Sequence, residues 1–168
     1  MASLSSVSRC RAKIPLRGLS RLLQLRLEVP RPWGWSLGRR KATGLGPQLG
    51  LDLVSIERFR AVFDGKPALA ESVFTAGELE YANAQRRPFE HLAARYAAKE
   101  ALLKALGTGF TAEMDWREIE TVRDTAGAPW IVLCGAVARI AGAKGLRRCA
   151  VSLTHSGAYA LAAVLLEP

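Results

Sequence analysis

The chain has little with which to build a soft-metal or redox site. His91 and His155 are its only imidazoles, and its three cysteines, Cys10, Cys134 and Cys149, lie far apart with no Cys-x-x-Cys spacing. That excludes the common zinc and dithiol patterns and fits a reducing compartment. Any metal here is expected to be a hard cation held by carboxylates. Long apolar runs are missing as well. Arginines interrupt each one near the N-terminus, so neither a secretory signal nor a membrane span can be read there. Acidic residues are scarce in residues 1–48, which hold ten Lys and Arg and one acid, Glu28, a net of +9. Residues 49–168 hold fourteen charges of each sign and balance to zero. The basicity that would suggest nucleic acid or an anionic membrane therefore belongs to the leader and not to the domain.

The leader is rich in Ser and Arg, the composition of an organellar transit peptide. Leu16, Leu19, Leu22, Leu23 and Leu27 could form one amphipathic stripe within it. Two other readings compete: a disordered tail on an anionic partner, and a stretch upstream of the true start. The expected organisation is a basic extension over 1–48 followed by one domain over 49–168, ample for a packed core. Its location is cytoplasmic, or organellar if the leader is a transit peptide.

The stretch from Leu92 to Gly109 reads as a helix of strong helix formers, stopped by Gly107 and Gly109. At about 100° per residue, Leu92, Tyr96, Leu103 and Leu106 share one side. Ala94, Ala97, Ala98, Ala101 and Ala105 share the other. A helix apolar on both sides is packed on both sides, and the alanine face lets another backbone come close. Glu100 and Lys104 occupy the strip between, where they make either an ordinary i,i+4 pair worth a few tenths of a kcal/mol or part of a site. Lys99 falls inside the large apolar stripe. One carboxylate and two ammonium groups on a mostly buried helix suit an anion held through a metal.

Leu49 to Ile56 reads as a buried strand interrupted by Asp52, whose ionised carboxylate there needs a cation or several donors. Phe59 to Val73 should be helical with a break at Gly65 to Pro67. Thr75 and Glu78 form a capping box that opens a helix through about Gln85, so Glu78 is read as structural. After Gly109 the period becomes two. Trp116 to Thr121 and Trp130 to Leu133 form a hairpin around a loop of about six residues. A short helix over 135–143 follows, then a second hairpin, Cys149 to His155 with Tyr159 to Leu166, around Ser156-Gly157. The pattern is α+β, helices packed on a small, mainly antiparallel sheet. Ser152 and His155 also raise a hydrolase, but no Gly-x-Ser-x-Gly elbow surrounds Ser152 and no third member suggests itself.

Arg95-Tyr-Ala-Ala-Lys-Glu-Ala101 followed by Lys104-Ala-Leu-Gly-Thr-Gly109 resembles the signature helix of the holo-acyl-carrier-protein synthases, the small phosphopantetheinyl transferases. Gly50-Leu-Asp52, Phe74 to Leu79 and Ser152-Leu-Thr-His155 resemble further motifs of that family, in the same order and over nearly the whole domain. The resemblance implies the phosphopantetheinyl transferase fold, assembled as a homotrimer with active sites between subunits. It implies transfer of the 4′-phosphopantetheine arm of coenzyme A to a serine of an apo acyl carrier protein, with release of adenosine 3′,5′-bisphosphate.

On that resemblance Asp52 and Glu100 hold Mg²⁺. Lys104 meets a coenzyme phosphate, and Lys99 neutralises charge at the leaving group or pairs with the metal ligands. Ser152 and His155 lie along the nucleotide. Arg58 and Arg87, with Arg86 beside it, face the acidic carrier protein. The general base stays open between Glu100 and a magnesium-held water. Neither nucleic acid nor membrane is expected as a partner of the domain. Two rivals remain: another coenzyme A-dependent transferase, which for thioester acyl transfer needs no metal, and a non-catalytic anion-binding protein that uses the basic leader.

Overall fold

The computed structural model describes residues 46–168. The basic leader, with Cys10 and the leucine stripe, lies outside the described residues, as do the transit-peptide and anionic-partner readings of it. Strand β1 (Gln48–Ser55) leads into helix α1 (Ile56–Phe63), whose first turn is capped by the Ser55 hydroxyl. Helix α2 (Pro67–Val73) begins with proline in its first turn. Helix α3 (Ala76–Asn83) opens on the full Thr75–Glu78 capping box. The long helix α4 (Pro88–Leu106) follows. A 3₁₀ turn (Trp116–Glu118) precedes β2 (Ile119–Arg123) and β3 (Pro129–Leu133). Helix α5 (Gly135–Ala143) and the hairpin β4 (Arg148–Ser156) and β5 (Tyr159–Glu167) complete the domain.

Two boundaries differ from expectation for local reasons. Helix α4 starts at Pro88, not Leu92, because proline needs no hydrogen-bond acceptor at the first helical position. Trp116 to Glu118 wind as a 3₁₀ turn because the Asp115 carboxylate accepts from the Arg117 amide, so the strand begins at Ile119.

Strand β5 is the middle of a three-stranded antiparallel sheet, with β1 on one side and β4 on the other; β2 and β3 pair separately. One face of the sheet receives α4, which packs on β1 and β5. Ala97, Ala98 and Ala101 are fully buried there, with Ala162, Val164 and Leu166 of β5 opposite. The closest approach is at Gly50. A Cβ on that residue would sit 1.8 Å from the Ala101 carbonyl oxygen and 2.7 Å from the Ala105 amide nitrogen. Strand backbone thus rests on helix backbone, and only glycine above with alanine below permits it.

Charge also enters the core. Lys99 is fully buried, and its ammonium lies 2.8 Å from Glu78 Oε2. Its remaining protons go to the carbonyls of Trp116, at 3.1 Å, and of Ile119. Glu78 accepts in turn from the Thr75 amide at 3.1 Å and the Thr121 amide at 3.0 Å. Every strong donor and acceptor of this pair is satisfied inside the protein, which is the condition for burying it. The expectation that Lys99 neutralises charge at the leaving group is corrected by this geometry. Its position inside the apolar stripe marks burial, and it joins α4 to α3 and to the start of β2. Glu78 is structural, as its capping box implies.

Lys99→Met keeps the volume of the stem and leaves Glu78 as an uncompensated buried charge. It should lower unfolding stability by about 3–5 kcal/mol in urea melts, and Glu78→Gln added to it should recover part of the loss. Equal midpoints for Lys99→Met and the parent protein would contradict this assignment.

Candidate active site

Residues at even positions of β1 face α4, so Gly50, Asp52 and Val54 point one way while Leu49, Leu51 and Leu53 point outward. The tight contact at Gly50 therefore delivers Asp52, two residues on, to the flank of α4. There the Lys104 ammonium lies 2.6 Å from Asp52 Oδ1 and also donates to the Leu51 carbonyl at 3.1 Å. Glu100, one turn earlier on α4, accepts a 3.0 Å hydrogen bond on Oε1 from the Tyr96 hydroxyl. Burial pushes the Glu100 carboxyl above its ordinary range and the nearby Asp52 carboxylate adds to this, while the Tyr96 bond and Lys104 pull the other way. Burial, and then the Glu100 carboxylate, likewise hold the Tyr96 phenol far above its usual value. Asp52, Glu100 and Lys104 are thus brought together, two carboxylates served by one ammonium.

A second polar region lies where the start of α4 meets β4. His155 Nε2 is 3.3 Å from Glu90 Oε2, and Glu90 Oε1 takes the Arg87 guanidinium at 3.0 Å. A cleft of about 190 Å³ opens here, lined by His91, Ala94, Arg95, Arg123, Leu153, Thr154 and His155. Arg95 is only 2% exposed. Its guanidinium lies over the Tyr81 ring at 4.1 Å, Nη1 donates to the His91 carbonyl, and buried Nε has no partner. Arg123 lies over the same ring at 5.1 Å. Burial, then Arg95, His155 and Arg123, depress the His91 pKa. A cleft with two guanidiniums and an unused buried donor is suited to an anion. Arg95 and Arg123 were not among the expected site residues. The criterion that singled out Lys99, a charge inside the apolar stripe of α4, applies equally to Arg95.

Ser152 does not join His155. In register it lies opposite Ala163, which lies opposite Leu51, so it belongs to the outward face of the sheet. Asp52 belongs to the inward face at the β1 edge, and His155 to the end of β4 at the other edge. Arg58 and Arg86 are exposed, Arg58 on the first turn of α1, and Arg87 is exposed while paired to Glu90.

Glu118, by contrast, is a structural carboxylate. It accepts from the Ala136 and Val137 amides at 3.0 and 3.2 Å and so caps α5 from outside it. Gly135 beside it has φ +56°, and a Cβ there would sit 1.9 Å from Glu118 Oε1. Among the described residues no group of three or more His, Cys, Asp and Glu gathers in a metal-binding cluster. A cation would rest on Asp52 and Glu100 with oxygens from elsewhere. No helix among the described residues is long and apolar enough to cross a membrane.

Comparison with known proteins agrees with this architecture. The profile of the 4′-phosphopantetheinyl transferase superfamily matches residues 48–164. A holo-[acyl-carrier-protein] synthase of Geobacter sulfurreducens is 46% identical over 119 residues, 70% of this chain and 94% of that protein. Its counterpart in Syntrophotalea carbinolica is 44% identical over 120 residues, 71% of this chain and 94% of its own. The crystal structure of the Neisseria meningitidis synthase superposes with a TM-score of 0.66 at 30% identity, covering 72% of this chain and 98% of that one. The Chronobacterium ammoniagenes synthase, solved as a coenzyme A complex, superposes at 0.65 with 31% identity, covering 73% and 97%. The shared profile, the near-complete coverage of these relatives and the common fold all point one way: the chain belongs to the 4′-phosphopantetheinyl transferase superfamily, among the holo-[acyl-carrier-protein] synthases.

Proposed function

We propose that this chain transfers the 4′-phosphopantetheine arm of coenzyme A to a serine of apo acyl carrier protein and releases adenosine 3′,5′-bisphosphate, at a Mg²⁺ site built on Asp52 and Glu100. The observation that carries the site is the meeting of Asp52, Glu100 and Lys104 on the flank of α4. Two carboxylates held side by side, one of them raised by burial and by the other, are a hard-oxygen donor set in need of more positive charge than Lys104 supplies. Such a set fits Mg²⁺, which is usually bound through one or two carboxylates plus substrate phosphates. Bound there, the cation would supply neutralisation of the developing phosphate charge.

The side chains then divide the work. Lys104 is half exposed on a flexible stem. A cation at Asp52 would release its ammonium to a coenzyme phosphate, in keeping with its expected role. Arg95, Arg123 and His155 would take an anionic group of the nucleotide in their cleft. Arg58, Arg86 and Arg87, exposed on one chain, would steer an acidic carrier protein. Glu100, or a water held by the cation, would accept the serine proton. Catalysis is assigned to residues 49–168, with the leader outside the chemistry. The location stays cytoplasmic, or organellar if the leader is a transit peptide.

Copies of the chain are proposed to complete one another as a homotrimer. Ser152 and His155 lie on β4 while Asp52 lies on β1, at opposite edges of one sheet, and Ser152 faces the other side of it. The outward face also carries Leu49, Leu51 and Leu53, exposed by 63%, 52% and 56%, beside Leu161 and Leu165 of β5. A leucine face of that kind is an association surface. A homotrimer built on that face would need to set the β4 edge of one chain beside the β1 edge of the next to complete the site.

Two outcomes test this reading. With coenzyme A, Mg²⁺ and an apo carrier protein, intact-mass measurement should show the phosphopantetheine adduct. Asp52→Asn and Glu100→Gln should each abolish it, with the double variant no worse than either and thermal stability similar or raised. Near-normal turnover of Asp52→Asn at ordinary Mg²⁺ would remove the site. Leu51→Arg should convert the assembly to monomers by light scattering and lose turnover with it. A wild-type monomer at micromolar concentration would count against the trimer.

A further inference from the structure

Tyr96 is only 5% exposed, and its ring is held between neighbours: Phe59 at 5.8 Å and Trp116 at 5.4 Å between centroids, with Trp116 itself stacked on Phe110 at 4.4 Å. A phenylalanine would make all of these contacts. The hydroxyl has one hydrogen-bond partner among the described residues, Glu100 Oε1 at 3.0 Å, one turn along the same helix. Among the described residues it is also the only donor that reaches that carboxylate, because Lys104 gives its ammonium to Asp52 instead. A free glutamate side chain samples three torsions, and among the described residues this hydrogen bond alone fixes it.

We infer that Tyr96 is a positioning residue for the transfer reaction: its hydroxyl holds one oxygen of Glu100 and leaves the other for a cation shared with Asp52. This rests on the metal site proposed above and adds to it a partner outside the ligands themselves. The arrangement follows a general logic of metal sites, in which a hydrogen bond to a ligating carboxylate fixes its rotamer and is worth 10–100-fold in metal affinity or activity. Tyrosine suits the task because a ring wedged on both sides carries its hydroxyl at a fixed height.

The test is Tyr96→Phe, which keeps the ring and removes one oxygen. Binding of Mn²⁺ in place of Mg²⁺ is read from the free-ion electron paramagnetic resonance signal with coenzyme A present, against coenzyme A alone. The expected result is an Mn²⁺ affinity weaker by about tenfold or more, unchanged far-UV circular dichroism, and turnover that recovers at high Mg²⁺. Glu100→Gln should not recover. A purely structural hydroxyl would lower the melting temperature and leave Mn²⁺ affinity where it was, and that outcome overturns the inference. Asp52→Asn separates the two levels of failure. If Asp52→Asn binds Mn²⁺ as the parent does, the carboxylate site falls and the role of Tyr96 with it. If Asp52→Asn loses the ion and Tyr96→Phe does not, the role of Tyr96 alone falls.

Discussion

Strand β1 lies so close to α4 at Gly50 that the two backbones touch, with the Ala101 carbonyl occupying the space a side chain would need. Everything charged on that flank depends on this contact. It fixes the register of β1 along the helix, and the alternation of the strand then places Asp52 beside Glu100 and Lys104. A looser interface would still bury its leucines and alanines, but a shift of one residue would turn Asp52 to the outer face and bring Leu51 or Leu53 inward. Small side chains on α4 are therefore part of the geometry of the site and not only filler for the core.

A second constraint comes from ions placed where water cannot reach. The Glu78–Lys99 pair ties α4 to the capping box of α3 and to the Thr121 amide of β2, and Glu118 ties the 3₁₀ turn to the start of α5. Buried pairs of this kind contribute little net stability, since desolvation offsets most of their attraction. What they do is penalise any packing that leaves one partner alone. The carboxylates of this domain thus fall into two groups. Glu78 is met by Lys99 and two backbone amides, and Glu118 by the two amides at the start of α5. Asp52 and Glu100 share one ammonium and one phenol, and keep capacity for a ligand.

The sequence was legible where side-chain pattern is local. The capping box, the strand carrying Asp52, the two hairpins and the double-faced helix with its glycine stop are all found, and the motifs pointed to the synthase family. That strand is an edge strand with Leu49, Leu51 and Leu53 exposed, not the buried one its apolar run implies. The grouping of Asp52 with Glu100 came from resemblance, and the Asp52–Lys104 contact only from the structure; periodicity alone could not have placed residues so far apart in the chain side by side. Lys99 shows the limit of pattern: a lysine in an apolar stripe must be satisfied, but whether by substrate or by a distant glutamate depends on which helix packs there. The Arg95–Arg123 cleft was missed because its lining comes from three elements, α4, β2 and β4, with no common spacing. Phe110 to Tyr96, likewise, becomes an aromatic stack only once the loop after α4 folds back.

On a single chain the functional features are divided. Asp52 and Glu100 stand at the β1 edge, His155 and the arginine cleft at the β4 end, and an exposed leucine face lies on the side away from the helices. The proposed homotrimer, with each site completed by a neighbouring copy, would account for all three. The most direct measurement is subunit complementation. Asp52→Asn and His155→Ala proteins, each inactive alone, are mixed, dissociated and reassociated, and pantetheinylation of the carrier protein is followed by intact mass. Shared sites predict that activity returns in the mixture, because some interfaces pair an intact Asp52 with an intact His155. Two inactive proteins that stay inactive when reassociated into mixed oligomers would contradict the account.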